Sequence, residues 1–179
     1  MLKLFKKRCQ EFLQDRLYDS YLYRFAYGLD ASCYRYIPKL VLKPKNEEEV
    51  QKIIILSDKL NIPLTFKGSG TSLCGQALSD SVLVLCVDNF KEIKANEHSI
   101  WCECGVKQNS YQTIKSVRII LNDGFILDTS KEESLKEFQS SRKSLKNGLL
   151  ALREELMQVP FCLKKLSVNL PLKIPQAMG

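Results

Sequence analysis

The sequence contains a single histidine, His98, and no Cys-x-x-Cys pair among its seven cysteines. Those two shortages exclude a zinc site of ordinary spacing. The cysteines are Cys9, Cys33, Cys74, Cys86, Cys102, Cys104 and Cys162, an odd number at irregular intervals. They read as reduced core and surface residues in a reducing compartment rather than a disulfide framework. Long hydrophobic runs are also missing. The longest, KIIIL and VLVLCV, fall far short of the ~20 residues of a membrane helix. The N-terminal MLKLFKKRCQEF meets charge too early for a secretory leader. No repeat or low-complexity tract stands out. The expected location is therefore cytoplasmic, with the inner membrane face as a peripheral alternative. Charge of one sign is not concentrated anywhere: 27 basic and 20 acidic residues leave a net +7 scattered along the chain. Without a basic stripe and interleaved aromatics, nucleic acid is not an expected partner.

What is present is a globular composition, 45% hydrophobic over 179 residues, enough for one core. Residues 1–28 carry Leu2, Phe5, Cys9, Phe12, Leu13, Leu17 and Tyr21 at helical spacing, with Gly28 as a stop. This basic amphipathic segment suits a membrane surface or its own domain, and packing on the domain is the plainer reading. Leu40–Pro44 reads as a strand. Asn46 suits a helix cap, and Glu47, Glu48 and Glu49 suit the first turn, where the helix dipole favours acids. Val50, Ile53, Ile54 and Leu60 give that helix an apolar face, and Asn61 and Pro63 end it. Pro63–Phe66 is the next strand. The β-α-β pattern predicts neighbouring parallel strands joined by a right-handed crossover.

Ser81–Val87, Ser99–Gly105 and Ser116–Leu121 are further predicted strands. Cys102 and Cys104 then share one strand face, an arrangement that suits packing. His98 falls in an exposed turn. Asn122-Asp123-Gly124 is a hairpin signal leading into FILD. Lys131–Met157 reads as helical from Leu135, Phe138, Leu145, Leu149, Leu152 and Leu156. The expected fold class is α+β, opening with β-α-β and continuing in a mixed sheet.

Between two apolar strands lies TFKGSGTSLCGQALSD, residues 65–80. Gly70 and Gly75 have P-loop spacing, but Gln76-Ala77 stand where Lys-Ser/Thr would reach phosphate and magnesium. Gly68-Ser69-Gly70 begins a dinucleotide fingerprint, but Leu73 occupies the third glycine position and a strand follows. What survives is a loop whose glycines allow positive φ and close approach. Its successive N–H groups could form an anion nest. Ser69, Thr71 and Ser72 add hydroxyls, and Lys67 adds charge. A pyrophosphate guest and an ordinary connection are both open on these grounds.

The run from Tyr27 to Ile93 resembles FAD-linked oxidoreductases with a PCMH-type domain, of the D-lactate dehydrogenase and glycolate oxidase subunit kind. The features that agree in order are Asp30-Ala31-Ser32, Pro38 and Pro44 around the first strand, Glu48-Glu49-Val50 and Gly70-Thr71-Ser72-Leu73-x-Gly75-Gln76. Residues 109–129 look similar as well. The resemblance implies FAD as cofactor, with Lys67, Gly68, Ser69, Gly70, Thr71 and Ser72 donating to its pyrophosphate. Gly75, Gln76 and Ala77 would shape the side toward the flavin. Lys67 stands where arginine is expected in many relatives, which keeps the charge and loses the planar fork. The implied activity is hydride transfer from a small 2-hydroxy acid to the flavin, with electrons leaving to a quinone, cytochrome or iron-sulfur partner. No catalytic acid or base and no metal set is assigned.

Two departures qualify that implication. IWCECGV runs straight into KQNSYQT, where the family carries a second flavin-contacting, glycine-rich region with an Asn-Ala-Ser-Gly motif. This reads as an internal deletion. The chain ends in LKIPQAMG instead of a Lys-Asn-Thr-Thr-Gly-Tyr motif and a substrate cap. Ile174–Gly179 can be written AUA CCA CAG GCU AUG GG. Begun one base earlier it reads Asn-Thr-Thr-Gly-Tyr-Gly, so the tail reads as frameshifted. The expected organisation is an N-terminal helical segment (1–37), a partial FAD-binding domain (38–129), a helical segment (130–158) and an atypical tail (159–179). The chain is expected to be inactive alone. A non-catalytic flavin- or nucleotide-binding module and a structural remnant are the alternatives.

Overall fold

The computed structural model describes residues 1–104 and 114–158. The position of the expected internal deletion, beyond Cys104, and the tail from 159 lie outside those residues. The described residues fall into two units, 1–104 with 120–125, and 114–119 with 126–158.

The first unit is built on a four-stranded sheet in the order β1-β2-β4-β3, with β1 Leu17–Tyr18, β2 Leu40–Leu42, β3 Leu64–Lys67 and β4 Val82–Leu85. β2 and β3 both run parallel to β4, and β1 is antiparallel to β2. The sheet is mixed, as expected. The expectation that β2 and β3 are neighbours is corrected: β4 lies between them. Burial explains the order. All four residues of β4 are buried, whereas in β3 only Lys67 is, and Phe66 is exposed. A strand apolar on both faces takes the centre, and a half-buried one takes the edge. Alternation along the strands divides the core. Leu40, Leu42, Val82 and Val84 face one layer with Phe5, Cys9, Leu13 and Ile53, while Val41, Leu83 and Leu85 face the other with Tyr18 and Tyr27.

The helix α3, Glu47–Leu60, carries the crossover from β2 to β3. The Asn46 side chain accepts from the Glu49 N–H at 3.0 Å, and Asn61 closes the helix in the left-handed region. Residues 1–28 are not one helix. α1, Leu2–Leu13, ends at Gln14, the chain then pairs as β1, and α2 spans Tyr21–Tyr27. Pairing of Leu17 with Leu42 covers the β2 edge and outcompetes continuation of the helix. Phe5, Cys9 and Leu13 turn α1 into the core, which supports the domain-packing reading.

Arg16 locks these pieces together. Its guanidinium donates to both Glu49 oxygens at 2.6 and 2.8 Å and to the Lys43 and Phe12 carbonyls. A two-stranded hairpin, β5 Ile93–Ala95 with β6 Ile100–Cys102, follows the sheet. Its turn is organised by Asn96, whose side-chain oxygen accepts from His98 and Ser99, and His98 is exposed there.

β7 Arg118–Ile120 and β8 Ile126–Asp128 form a ribbon around the predicted Asn122-Asp123-Gly124 turn. The Gly124 carbonyl accepts from Gln51 of α3 at 2.6 Å. In the second unit, Phe138 and Leu127 are buried. The stretch Lys131–Met157 is helical as expected, in two pieces, α4 Glu132–Ser141 and α5 Lys143–Gln158. Ser140 and Ser141 both donate to the Glu137 carbonyl, and Arg142 leaves helical geometry at φ −126°. Among the described residues no helix is long and apolar enough to cross a membrane.

Burial pushes the Glu49 carboxyl up, but the hydrogen bonds from Arg16 and the Lys45 N–H outweigh it and leave its pKa lowered. A depressed carboxylate contributes stability above its unfolded pKa, lost as pH falls through the folded value. Acid should therefore destabilise the protein below the ordinary glutamate range, and Glu49→Gln should flatten that limb. Arg16→Met, which strands a carboxylate with only 7% exposure, should cost about 3 kcal/mol. That is toward the low end for a buried pair, because Arg16 keeps some solvent. Urea unfolding midpoints across pH check both outcomes.

Candidate anion-binding loop

β3 and β4 are parallel neighbours with no helix between them in sequence. Residues 68–81 must therefore act as the crossover, returning from the end of β3 to the start of β4. The loop begins at the C-terminal end of a parallel strand, where open α/β sheets present ligands.

Its base is Lys67, 8% exposed. The Lys67 ammonium donates to the Tyr27 carbonyl at 2.9 Å and to the Leu29 carbonyl. Desolvation draws its pKa down, with the charge of Asp30 opposing. Lys67 thus reaches across to residues 27–30, and two of its three donors are occupied there. Residues 30–32 grip the same loop. The Ala31 N–H donates to the Gly70 carbonyl at 2.9 Å. Asp30 accepts from the Ser32 N–H at 2.9 Å and from its hydroxyl. The Ser32 hydroxyl leads the interactions that hold the Asp30 carboxyl below the usual range, and Lys67 and the Ala77 N–H add to it.

Ser72 organises the far half. Its hydroxyl accepts from the N–H groups of Cys74 and Gln76, both at 3.3 Å, and donates to the Gln76 side-chain oxygen at 2.9 Å. Gly70 and Gly75 take φ of 66° and 74°, and the Leu78 N–H donates to the Gly75 carbonyl at 3.1 Å. A Cβ on Gly70 would meet Lys67 Cε at 2.8 Å.

What remains is a run of donors. Among the described residues, the N–H groups of Ser69, Gly70, Thr71 and Ser72 have no protein acceptor, and neither do the hydroxyls of Ser69 and Thr71. Ser69 and Thr71 are exposed. Consecutive unpaired N–H groups on a glycine turn fit the oxygens of a pyrophosphate. Eight of the nine predicted residues lie in this one loop, and the ninth, Lys67, ends β3 at its base. Ser69, Gly70, Thr71 and Ser72 form the donor rim, the Ser72 hydroxyl also bonds Gln76, and Gly68, Gly75 and Ala77 shape the turn and its return. Asp30 and Ala31 were not among the residues assigned to the site, although Asp-Ala-Ser was already a visible motif. Among the described residues no cluster of His, Cys, Asp or Glu could hold a metal.

Comparison with known proteins matches residues 38–110 to the FAD binding domain family. This segment is FAD-binding-domain sequence. Its cofactor is FAD, and the α+β fold around it is a partial PCMH-type FAD-binding domain. The FAD-binding segment is 32% identical over 77 residues to the glycolate oxidase subunit GlcD of Bacillus subtilis, covering 42% of this chain and 16% of that protein. It is 40% identical over 63 residues to GlcD of Escherichia coli K12, covering 35% and 13%. The chain therefore spans less than one-fifth of the curated relatives it matches. A solved 4-ethylphenol oxidase from Gulosibacter chungangensis shares the fold at a TM-score of 0.54 and 14% identity, over 71% of this chain and 34% of that one.

Gly70→Val should strain the turn and displace Lys67, because a β-branched side chain fits neither the positive φ nor the space. The expected loss is about 1–3 kcal/mol, with faster proteolytic cleavage within residues 68–78. Limited proteolysis and thermal unfolding check this. Unchanged cleavage would contradict the loop's geometry.

Proposed function

We propose that this chain is the pyrophosphate-holding portion of a flavin-dependent dehydrogenase for a small 2-hydroxy acid, of the D-lactate or glycolate type. The observation that carries the reading is the rim of unaccepted N–H groups at Ser69–Ser72, within a segment matched to the FAD binding domain. Gly68, Ser69, Gly70, Thr71 and Ser72 would hold the pyrophosphate. Lys67 would add a nearby positive charge from its fixed position. Gly75, Gln76 and Ala77 would line the flavin side. The chemistry that FAD supplies when bound is acceptance of a hydride from the carbon bearing the hydroxyl. The substrate, the quinone, cytochrome or iron-sulfur acceptor, and any attachment to the inner membrane face belong to the whole protein in this reading.

The isolated 179-residue chain holds FAD weakly and does not turn over. FAD is long, and one loop holds only its middle, so the remaining polar contacts compete with water. Purified protein should be colourless, and added FAD should bind weakly, with the ADP half contributing most of the affinity. Titration with FAD, ADP and riboflavin, followed by addition of D-lactate or glycolate, tests this. Stoichiometric yellow protein that bleaches with either acid would overturn the weak-binding claim. Weak flavin binding without reduction is the expected outcome. Absence of any FAD or ADP binding favours a structural remnant and defeats the proposal.

A further inference from the structure

Cys86 and Cys104 are 18 positions apart, and no sequence motif joins them. The fold does. Cys86 follows directly on β4, and its N–H donates to the Lys67 carbonyl at 2.9 Å. Cys104 follows β6, and its carbonyl oxygen lies 3.6 Å from where a Cβ on Gly68 would sit. Residues 67 and 68 thus touch the two cysteines, one on the Lys67 carbonyl and one beside Gly68, and the two thiols are near enough to perturb each other's ionisation. The pair is asymmetric. Cys86 is 4% exposed in the core, while Cys104 is open to solvent.

We propose that Cys86 and Cys104 form a peroxide-responsive disulfide beside the first glycine of the anion-binding loop. The Cys104 thiolate attacks one oxygen of a hydroperoxide, breaking the O–O bond and giving a Cys104 sulfenic acid and hydroxide, or alkoxide from an alkyl hydroperoxide. The Cys86 sulfur then attacks the Cys104 sulfur. Its proton and the sulfenic hydroxyl leave as water, and the S–S bond forms. Two thiols are oxidised by two electrons, and the peroxide is reduced.

The surroundings support this division of roles. The hydrogen bond from Cys86 favours the Cys104 thiolate and draws its pKa down, against partial burial. Hydrogen bonding to Cys104 and burial hold Cys86 as the thiol. Cys9 has no such partner, and burial alone pushes its pKa up to about 12, which leaves it inert. Cys33 and Cys74 are exposed. The inference does not depend on flavin binding, since it uses only the two thiols and an outside oxidant.

The test uses the full reduced chain, treated with one equivalent of hydrogen peroxide, denatured in alkylating reagent and mapped without reduction. Two of the seven thiols should escape alkylation. The intact mass should fall by about 2 Da before alkylation. One peptide should join Cys86 to Cys104 and disappear on reduction. Cys86→Ser should leave a sulfenic acid trappable at Cys104. Cys104→Ser, at an exposed site that tolerates the change, should abolish the cross-link. Full alkylation of both Cys86 and Cys104 in the treated wild-type chain would overturn the proposal. So would a cross-link that joins either residue to a different cysteine.

Discussion

The central position of β4 is the constraint on which the rest depends. Val82–Leu85 is buried on both faces and paired on both edges, so no other strand can take its place. The chain reaches β3 before β4, by a helix that skips one position in the sheet. It must then return to fill the gap. Parallel pairing makes that return a full crossover rather than a tight turn. Residues 68–81 are thus long because the sheet demands it. Their glycines, serines and threonines determine what so long a loop can bind.

A loop of that length needs anchors if its donors are to stay aimed. Lys67 supplies one at the base, through the carbonyls of residues 27 and 29, and Ala31 supplies another through the Gly70 carbonyl. Ser72 closes the far side. These contacts leave Ser69–Ser72 with donors pointing to no protein acceptor, and preorganised donors bind charge without first being ordered. Arg16 and Glu49 tie α1, the end of β2 and the start of α3 together, so the N-terminal helix and the sheet that carries the loop share one core.

Local signals were legible where a few adjacent residues decide the outcome. Asn46 and three glutamates marked the start of α3, and Asn122-Asp123-Gly124 marked the ribbon turn. Eight of the nine residues expected at the cofactor cluster in one loop, a grouping visible in their glycine spacing and their resemblance to flavoproteins. Long-range competition was not. Nothing near Ser81–Val87 says that it inserts between two earlier strands, and nothing near Leu17 says that it covers an edge. β5 was missed because Ile93–Ala95 is exposed on every residue and lacks a burial alternation. The target of the Lys67 side chain was equally hidden, since Tyr27 and Leu29 are about 40 residues away.

In the proposed function, the backbone N–H groups of Ser69–Ser72 hold an anion. Amide hydrogen exchange in saturating FAD, resolved by residue, tests it most directly. Exchange should slow at Ser69, Gly70, Thr71 and Ser72, while β5 and β6 stay unchanged. Protection confined to other segments, with these four amides exchanging as fast as in the free chain, would contradict it.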